Sequence, residues 1–240
     1  MEEREACLTA DLGMVEYGRA YELQKRLHAL RVRQEIGDVL LLLEHTPTLT
    51  LGKSGSVKNV LASPGRLAQL GISLFFIERG GDVTYHGPGQ LVGYPIMDLR
   101  KRGRDIYRFV TDLEEVMIRT ARDFSVEAGR DPGHRGVWVE SAELGAIGLS
   151  VRRWVTMHGF AFNVTTNLDH FTVINPCGFV DRQATSLAAL LSRHISMEPV
   201  RERLQYHFSA VFDVDIVRTT EEGLVRVVDN APTERERAAP

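Results

Sequence analysis

The sequence predicts an α+β (mixed α/β) single domain in which mixed β-sheets are flanked by helices. Three observations carry the prediction. Short apolar runs suited to strands come in clusters, a few long segments between them carry helical periodicity, and the two do not alternate as a regular βαβ array would. The 240 residues are 43% hydrophobic, enough for a sizeable core. No Pro/Gly/Ser-rich linker divides the chain, so residues 1–217 are expected to form one domain. The charged, Pro-containing end, 218–240, is expected to form a flexible tail.

The elements follow in order. From Glu16 to Arg33, Tyr17, Ala20, Leu23, Leu27 and Leu30 recur at helical spacing. Val39 to Leu43 is continuously apolar, as a strand covered on both faces would be, and Thr48 to Leu51 also reads as extended. Leu74 to Ile77 is a short strand that enters the glycine-rich segment Arg79 to Gln90, and Leu91 to Met97 is the strand that leaves it. Ile106, Phe109, Val110, Leu113, Val116, Met117 and Phe124 then form one stripe of a helix. Strands return at Gly136 to Val139, Leu144 to Val151 and Val155 to Val164, and a last helix covers about Pro199 to Phe212.

Composition excludes several functions. With a formal net charge of -3 and no basic stripe, the chain lacks the positive surface that a nucleic-acid binder needs. No apolar run approaches the ~18 residues of a membrane span. The acidic amino terminus does not resemble a signal peptide, and two cysteines form no disulfide framework, so a reducing, cytoplasmic location is expected. The 29 basic residues divide into 25 Arg and four Lys, namely Lys25, Lys53, Lys58 and Lys101. Partners are therefore expected to be small molecules or proteins.

The densest special segment is Arg79-Gly80-Gly81-Asp82-Val83-Thr84-Tyr85-His86-Gly87-Pro88-Gly89-Gln90. Its glycines and proline permit unusual backbone angles and close approach of a ligand to the main chain. A hairpin with tight turns explains the segment equally well, although Arg79, Tyr85 and His86 place a cation, a phenol and an imidazole beside it. It is not a Walker loop: Gly52-Lys53-Ser54 supplies that motif's tail, but the position of the first glycine holds Pro47. Cys177 lies between Pro176 and Gly178, flanks that favour a loop where a thiol can be exposed. Cys7, in an alternating run, is expected to fill core. The histidines show no metal-ligand spacing, so no metal is expected.

Together these segments resemble the lipoyl(octanoyl) transferases of lipoate biosynthesis, in the biotin/lipoate protein ligase superfamily. The resemblance is carried by Leu43-Glu44-His45-Thr46-Pro47 with Thr50-Leu51-Gly52, by the Arg79 to Gln90 segment, by Ala146-Ile147-Gly148, by His158-Gly159-Phe160-Ala161-Phe162-Asn163, and by Pro176-Cys177-Gly178. It spans roughly residues 5 to 215, in order. It implies a ligase-like fold, a catalytic domain over 1–217 and an acyl pocket. That pocket would be formed by Arg79, Gly80, Gly81, Asp82, Val83, Thr84, Tyr85 and His86, with Ala146, Ile147, Gly148, His158, Gly159, Phe160, Ala161 and Asn163. It implies that Cys177 takes octanoyl from octanoyl-acyl carrier protein as a thioester. The acceptors would be a lysine of lipoyl domains, such as those of 2-oxoacid dehydrogenases, or of the glycine-cleavage H protein. No cofactor is implied, since a thioester donor needs neither ATP nor metal.

One position departs from the pattern. The family carries a lysine three residues before the Ala-x-Gly alanine, as a proton manager, and here that position is Glu143. A lysine at ~10.4 holds the proton of a thiol at ~8.5 with roughly 2.6 kcal/mol to spare, whereas a glutamate at ~4.3 faces roughly 5.7 kcal/mol uphill. His86 or His158, at a reference near ~6.5, would face roughly 2.7 kcal/mol. Three activities are compatible with the replacement: octanoyl transfer through an altered relay, acyl binding without full transfer, or movement of lipoyl groups between carrier proteins.

Overall fold

The computed structural model describes residues 4–175 and 183–230. The chain starts with β1 (Glu5–Val15), α1 (Tyr17–Val32), β2 (Asp38–His45) and β3 (Thr48–Leu51), followed by the short α2 (Pro64–Gln69) and β4 (Ser73–Phe76). Next come β5 (Val83–His86), β6 (Gln90–Ile96), α3 (Ile106–Asp123), β7 (Gly129–Asp131), β8 (His134–Val139), β9 (Ala142–Arg152) and β10 (Val155–Asn163). The last elements are β11 (Gln183–Ala184), α4 (Leu187–Leu191), α5 (Met197–Phe212), β12 (Val214–Thr219) and α6 (Glu221–Asp229). The expected α+β class holds.

Nine strands form one mixed sheet in the order β12-β1-β2-β6-β10-β9-β8-β7, with β11 paired parallel to β9. A three-stranded sheet, β4-β3-β5, lies apart from it. The large sheet is covered on both faces, and β2 shows how its sequence permits this. Leu40 and Leu42 join the core built with α3 and α5, while Val39, Leu41 and Leu43 join the core built with α1 and α6. Alternation along a strand sends successive side chains to opposite faces, so the continuous apolar run serves both cores. Cys7 sits at the first of these cores with no exposed surface, and burial pushes its thiol up to about 12.

The glycine-rich segment is not a hairpin. β5 pairs with β3 and β6 pairs with β2 and β10, so the chain passes from the small sheet to the large one within Gly87–Gly89. Gly89 takes φ +81°, and a Cβ there would lie 2.6 Å from the Thr165 backbone. Its N–H donates to Glu44 Oε2 at 2.7 Å, and its carbonyl accepts from Val164 and Thr165. Glycines suit a tight turn and a sheet-to-sheet corner alike, so the composition of this segment could not distinguish them.

Other differences have physical causes. Periodicity missed Gln24 and Arg31 on the buried face of α1, because each is held there by a specific polar partner. Ile106, expected in the α3 stripe, stays exposed in the first turn of that helix. The segment expected to be a flexible tail, 218–240, is corrected through Asp229: Thr219 ends β12, and α6 buries Leu224 and Val228 against the face that carries α1. The ion pairs Arg19–Glu221 and Arg26–Asp229 join α6 to α1. Residues 231–240 lie outside the described residues.

Arg31 is buried with Asp38 at 2.8 Å and Asp98 at 3.5 Å, and the Asp98 N–H donates to Asp38 Oδ1 at 3.0 Å. Removing one partner of a buried pair strands the remaining charge. Asp38→Ala is expected to lower the unfolding free energy by ~3–5 kcal/mol in urea titrations, and a loss below ~1 kcal/mol would show that the cluster is effectively solvated.

Candidate active site

A cleft of about 680 Å³ opens between the two sheets. Its floor is β9 and β10, through Ala146, Ile147 and Gly148 on one strand and His158, Gly159, Phe160 and Ala161 on the other. Gly148 faces Gly159 and Ala146 faces Ala161 in the antiparallel register. One wall is the 79–82 loop and β5, through Arg79, Gly81, Asp82, Val83, Thr84 and His86. The other is a 3-10 turn, Leu168–Val173, with Ile174 and Asn175. Glu143, Gln183, Trp138 and the β7–β8 turn also line it, and Tyr94, edge-on to His158, and Tyr17, stacked on His86, complete the lining.

The 79–82 loop is fixed by its own main chain and by Arg79. Gly52 and Lys53 donate backbone N–H groups to the carbonyls of Asp82 and Arg79 at 3.2 and 3.0 Å. A Cβ on Gly52 would lie 2.3 Å from the Gly81 carbonyl, so only glycine lets these two backbones meet. The buried Arg79 guanidinium donates to the Thr50 carbonyl (2.8 Å) and hydroxyl (2.9 Å) and to the Gly80 carbonyl (2.9 Å). Asp82 accepts from Ser56 N–H at 3.2 Å and from the Asn59 side chain, which ties the loop to residues 56–59. The Asn175 N–H donates to the Asn59 carbonyl at 2.8 Å, so the segment that follows the 3-10 turn is tied to the same residue.

Within and behind the wall lie neutral imidazoles, and for two of them the tautomer follows from the partners. Gln90 donates its amide to the Tyr85 carbonyl (3.1 Å) and Asn163 Oδ1 (2.9 Å), so its oxygen must accept from His86 Nδ1 at 2.8 Å. His86 Nε2 therefore carries the lone pair, 3.4 Å from the Thr50 hydroxyl. His45 Nδ1 donates to the Val15 carbonyl at 2.9 Å, leaving Nε2 to accept from the Tyr94 hydroxyl at 2.6 Å. Burial pushes His86 down to about 3, with His45 nearby adding to the effect, and pushes His45 and His158 down to about 4. Burial likewise raises the Tyr17 and Tyr94 phenols.

The expected site residues fall into three groups. Arg79, Gly81, Asp82, Val83, Thr84, His86, Glu143, Ala146, Ile147, Gly148, His158, Gly159, Phe160 and Ala161 all line the cleft. Gly80, Tyr85 and Asn163 do not line it and act as supports. The Gly80 N–H is used by the Leu149 carbonyl at 2.8 Å, the Tyr85 hydroxyl meets His170 Nδ1 at 2.7 Å, and Asn163 holds Gln90. Cys177 lies outside the described residues, while Asn175 and Gln183, which flank that segment, both line the cleft. Sequence reasoning missed Tyr17, Tyr94 and Trp138, which pass for helix or strand core, and the 3-10 turn. The turn's one signal is Asn167, whose side chain accepts from Asp169 N–H.

Residues 16–209 match the family profile described as the lipoyl protein ligase A/B catalytic domain. The chain belongs to this family. An octanoyltransferase of Caldicellulosiruptor bescii is 54% identical over 84% of this chain and 89% of its own length. One of Caldicellulosiruptor saccharolyticus is 49% identical over 90% and 93%. Among solved structures, the lipoate-complexed LipL1 of P. falciparum superposes with a TM-score of 0.74 at 12% identity, over 94% of this chain and 69% of that one. Protein Ta0514 of T. acidophilum gives 0.71 at 16% identity, over 94% and 92%. At such identities the superpositions establish the ligase-like fold. The curated relatives make this member of the lipoyl ligase A/B family an enzyme, an acyltransferase.

The buried imidazoles make the fold of this family member sensitive to acid. A histidine whose pKa is lower folded than unfolded stabilises fully above the unfolded value, and that contribution drains away as pH falls toward the folded one. The window therefore runs from about 6.5 down to about 4 for His45 and His158, and to about 3 for His86. Within it each imidazole is expected to remove roughly 1.4 kcal/mol of stability per pH unit. Urea midpoints measured between pH 6.5 and pH 4.5 test this, and a flat profile would show that the rings titrate normally when folded.

Proposed function

We propose that the chain transfers an octanoyl group from octanoyl-acyl carrier protein to the target lysine of a lipoyl domain or of the glycine-cleavage H protein. The observation that carries this reading is the convergence of the Arg79–His86 wall with the Ala146–Gly148 and His158–Ala161 floor in one cleft. These sequence-distant segments are the ones that resemble the lipoyl(octanoyl) transferases. The apolar part of the floor suits an acyl chain, and Arg79 and the Asp82 carboxylate lie on its wall.

The chemistry assigned to Cys177 takes two steps. Its thiolate attacks the donor carbonyl carbon, a C–S bond forms, and the carrier protein leaves as a thiol after taking up a proton. The acceptor amine, having lost its ammonium proton, then attacks the acyl-enzyme carbonyl; the C–N bond of the amide forms, a second N–H proton passes to solvent, and the C–S bond breaks to release Cys177 as thiolate. Glu143 occupies the position of the family's relay lysine and lines the same cleft, pinned by its carbonyl, which accepts from Thr185 N–H at 2.9 Å. A carboxylate there withdraws the ammonium partner that would stabilise a thiolate. Transfer accordingly proceeds through a weakened relay.

Intact-mass analysis with octanoyl-acyl carrier protein, followed by an unmodified lipoyl domain, tests the proposal. An octanoyl adduct that is absent in Cys177→Ala and that passes to the lipoyl domain is expected. Glu143→Lys is expected to raise the rate by about 10²-fold, the lower range of general acid–base catalysis. A stable adduct that never transfers would point to acyl binding alone, and acyl transfer only from a lipoylated carrier would point to lipoyl exchange. The complete absence of adducts in wild type and Glu143→Lys would overturn the reading.

A further inference from the structure

We infer that an arginine-rich, aromatic surface around Trp154 and Tyr107 docks the donor carrier protein through a carboxylate-rich face of that partner, an inference that rests on the acyl-transfer reading. Arg153 and Trp154 form the two-residue turn between β9 and β10, with Arg152 paired to Val155 at its base. The Arg104 guanidinium lies over the Trp154 ring at 5.8 Å, and the Arg135 guanidinium lies over the Tyr107 ring at 5.6 Å. Tyr107 follows Arg104 by three residues, in the first turn of α3, so the two stacked pairs are neighbours. Arg135 also lines the cleft, which brings this surface to the site.

Packing leaves this surface turned outward. Tyr107 is 75% exposed, and the Arg108 side chain beside it is 77% exposed. Arg153 and Trp154 take φ +52° and +66°, a turn that favours Asn-Gly, and Arg104 takes φ +55°. Larger side chains hold such backbones at a cost, and here three of them present the stacked Trp154 ring and its arginines. Nearby cations are neutralised, Arg100 by Asp98 and Lys101 by Glu5. Arg104 and Arg153 make no ion pair among the described residues, and Arg108 and Arg135 reach Asp112 and Glu114 only at 3.9 Å. Asp105 and Asp112, at the start of α3, offset only part of the charge. The arginines come from separate segments, so no basic stripe marks them in the sequence.

A chain of net charge -3 thus carries a locally positive face, and the complement of that face is carboxylate. A guanidinium stacked on a ring keeps its edge free to fork a carboxylate, and Arg, Tyr and Trp are the side chains that anchor protein interfaces. Reach favours the donor over the acceptor. The turn at Trp154 lies six residues beyond Gly148, the last residue of β9 that lines the cleft, a run of roughly 20 Å. A partner seated between Arg135 and Trp154 approaches the cleft from the side. A thioester on a long pantetheine arm spans that offset, and a lysine side chain does not.

The experiment measures acyl transfer to a lipoyl domain from octanoyl-acyl carrier protein and from octanoyl-pantetheine, which has the same thioester and no protein surface. Wild type is compared with Arg104→Asp, Arg153→Asp and the double variant; aspartate tolerates the left-handed backbone, and thermal melting checks each fold. The double variant is expected to raise KM for the carrier donor at least about tenfold at unchanged kcat, with octanoyl-pantetheine and the lipoyl-domain KM unaffected. In wild type, added salt is expected to lower kcat/KM for the carrier donor and leave octanoyl-pantetheine flat. A carrier KM unmoved in the variants that fold, a shift in the lipoyl-domain KM instead, or equal losses with both donors overturns the inference. Wild-type binding to anionic vesicles or duplex DNA that the double variant loses, at an unmoved carrier KM, overturns it as well. If no variant folds, the salt comparison decides, and an equal response of the two donors overturns it. Absence of transfer from either donor in wild type would instead defeat the acyl-transfer reading on which it rests.

Discussion

The corner at Gly87–Gly89 is the constraint on which the rest of the site depends. Within three residues the chain must leave the edge of one sheet and enter the middle of another, which sets the two sheets at an angle and opens the cleft between them. Side-chain hydrogen bonds hold that angle. Glu44 takes the Gly89 N–H, and Gln90 spans from the Tyr85 carbonyl of β5 to Asn163 at the end of β10. Gln90 also fixes the His86 tautomer, so the geometry of the corner and the protonation of the wall are one arrangement.

Much of the fold was legible because periodicity reports burial. The α1 and α3 stripes and the two-sided β2 run appear in the structure where the sequence puts them, since apolar side chains have few alternatives to a core. Polar residues were less legible. Gln24 and Arg31 are buried because of partners in β10 and β2, more than a turn of local sequence away in each case, and no local pattern announces such pairing. The charged end segment misled for the related reason that α6 needs only Leu224 and Val228 inside, with its charges directed to α1 and solvent.

The site shows the same division. Motif segments identified most of the cleft's floor and one wall, but not which motif residues face inward. Gly80, Tyr85 and Asn163 belong to the motifs as scaffolding, bonded to a carbonyl, a histidine and a glutamine that position the lining residues. Tyr17 and Tyr94 contribute surface that looks like ordinary core until the angle between the sheets is known. Three buried imidazoles stay neutral near the buried Arg79 guanidinium, so this part of the wall presents fixed dipoles beside a permanent positive charge. Such a wall favours a ligand through oriented donors and acceptors without exchanging protons with it.

The condition of Cys7 has a practical corollary for chemical labelling. The chain has two cysteines, and this one is wholly enclosed, with its thiol pushed up to about 12. At neutral pH it stays in the unreactive thiol form, and its enclosure shields it in the folded protein. In alkylation of the native protein Cys7 therefore stays silent, and label taken up at that position marks loss of the fold.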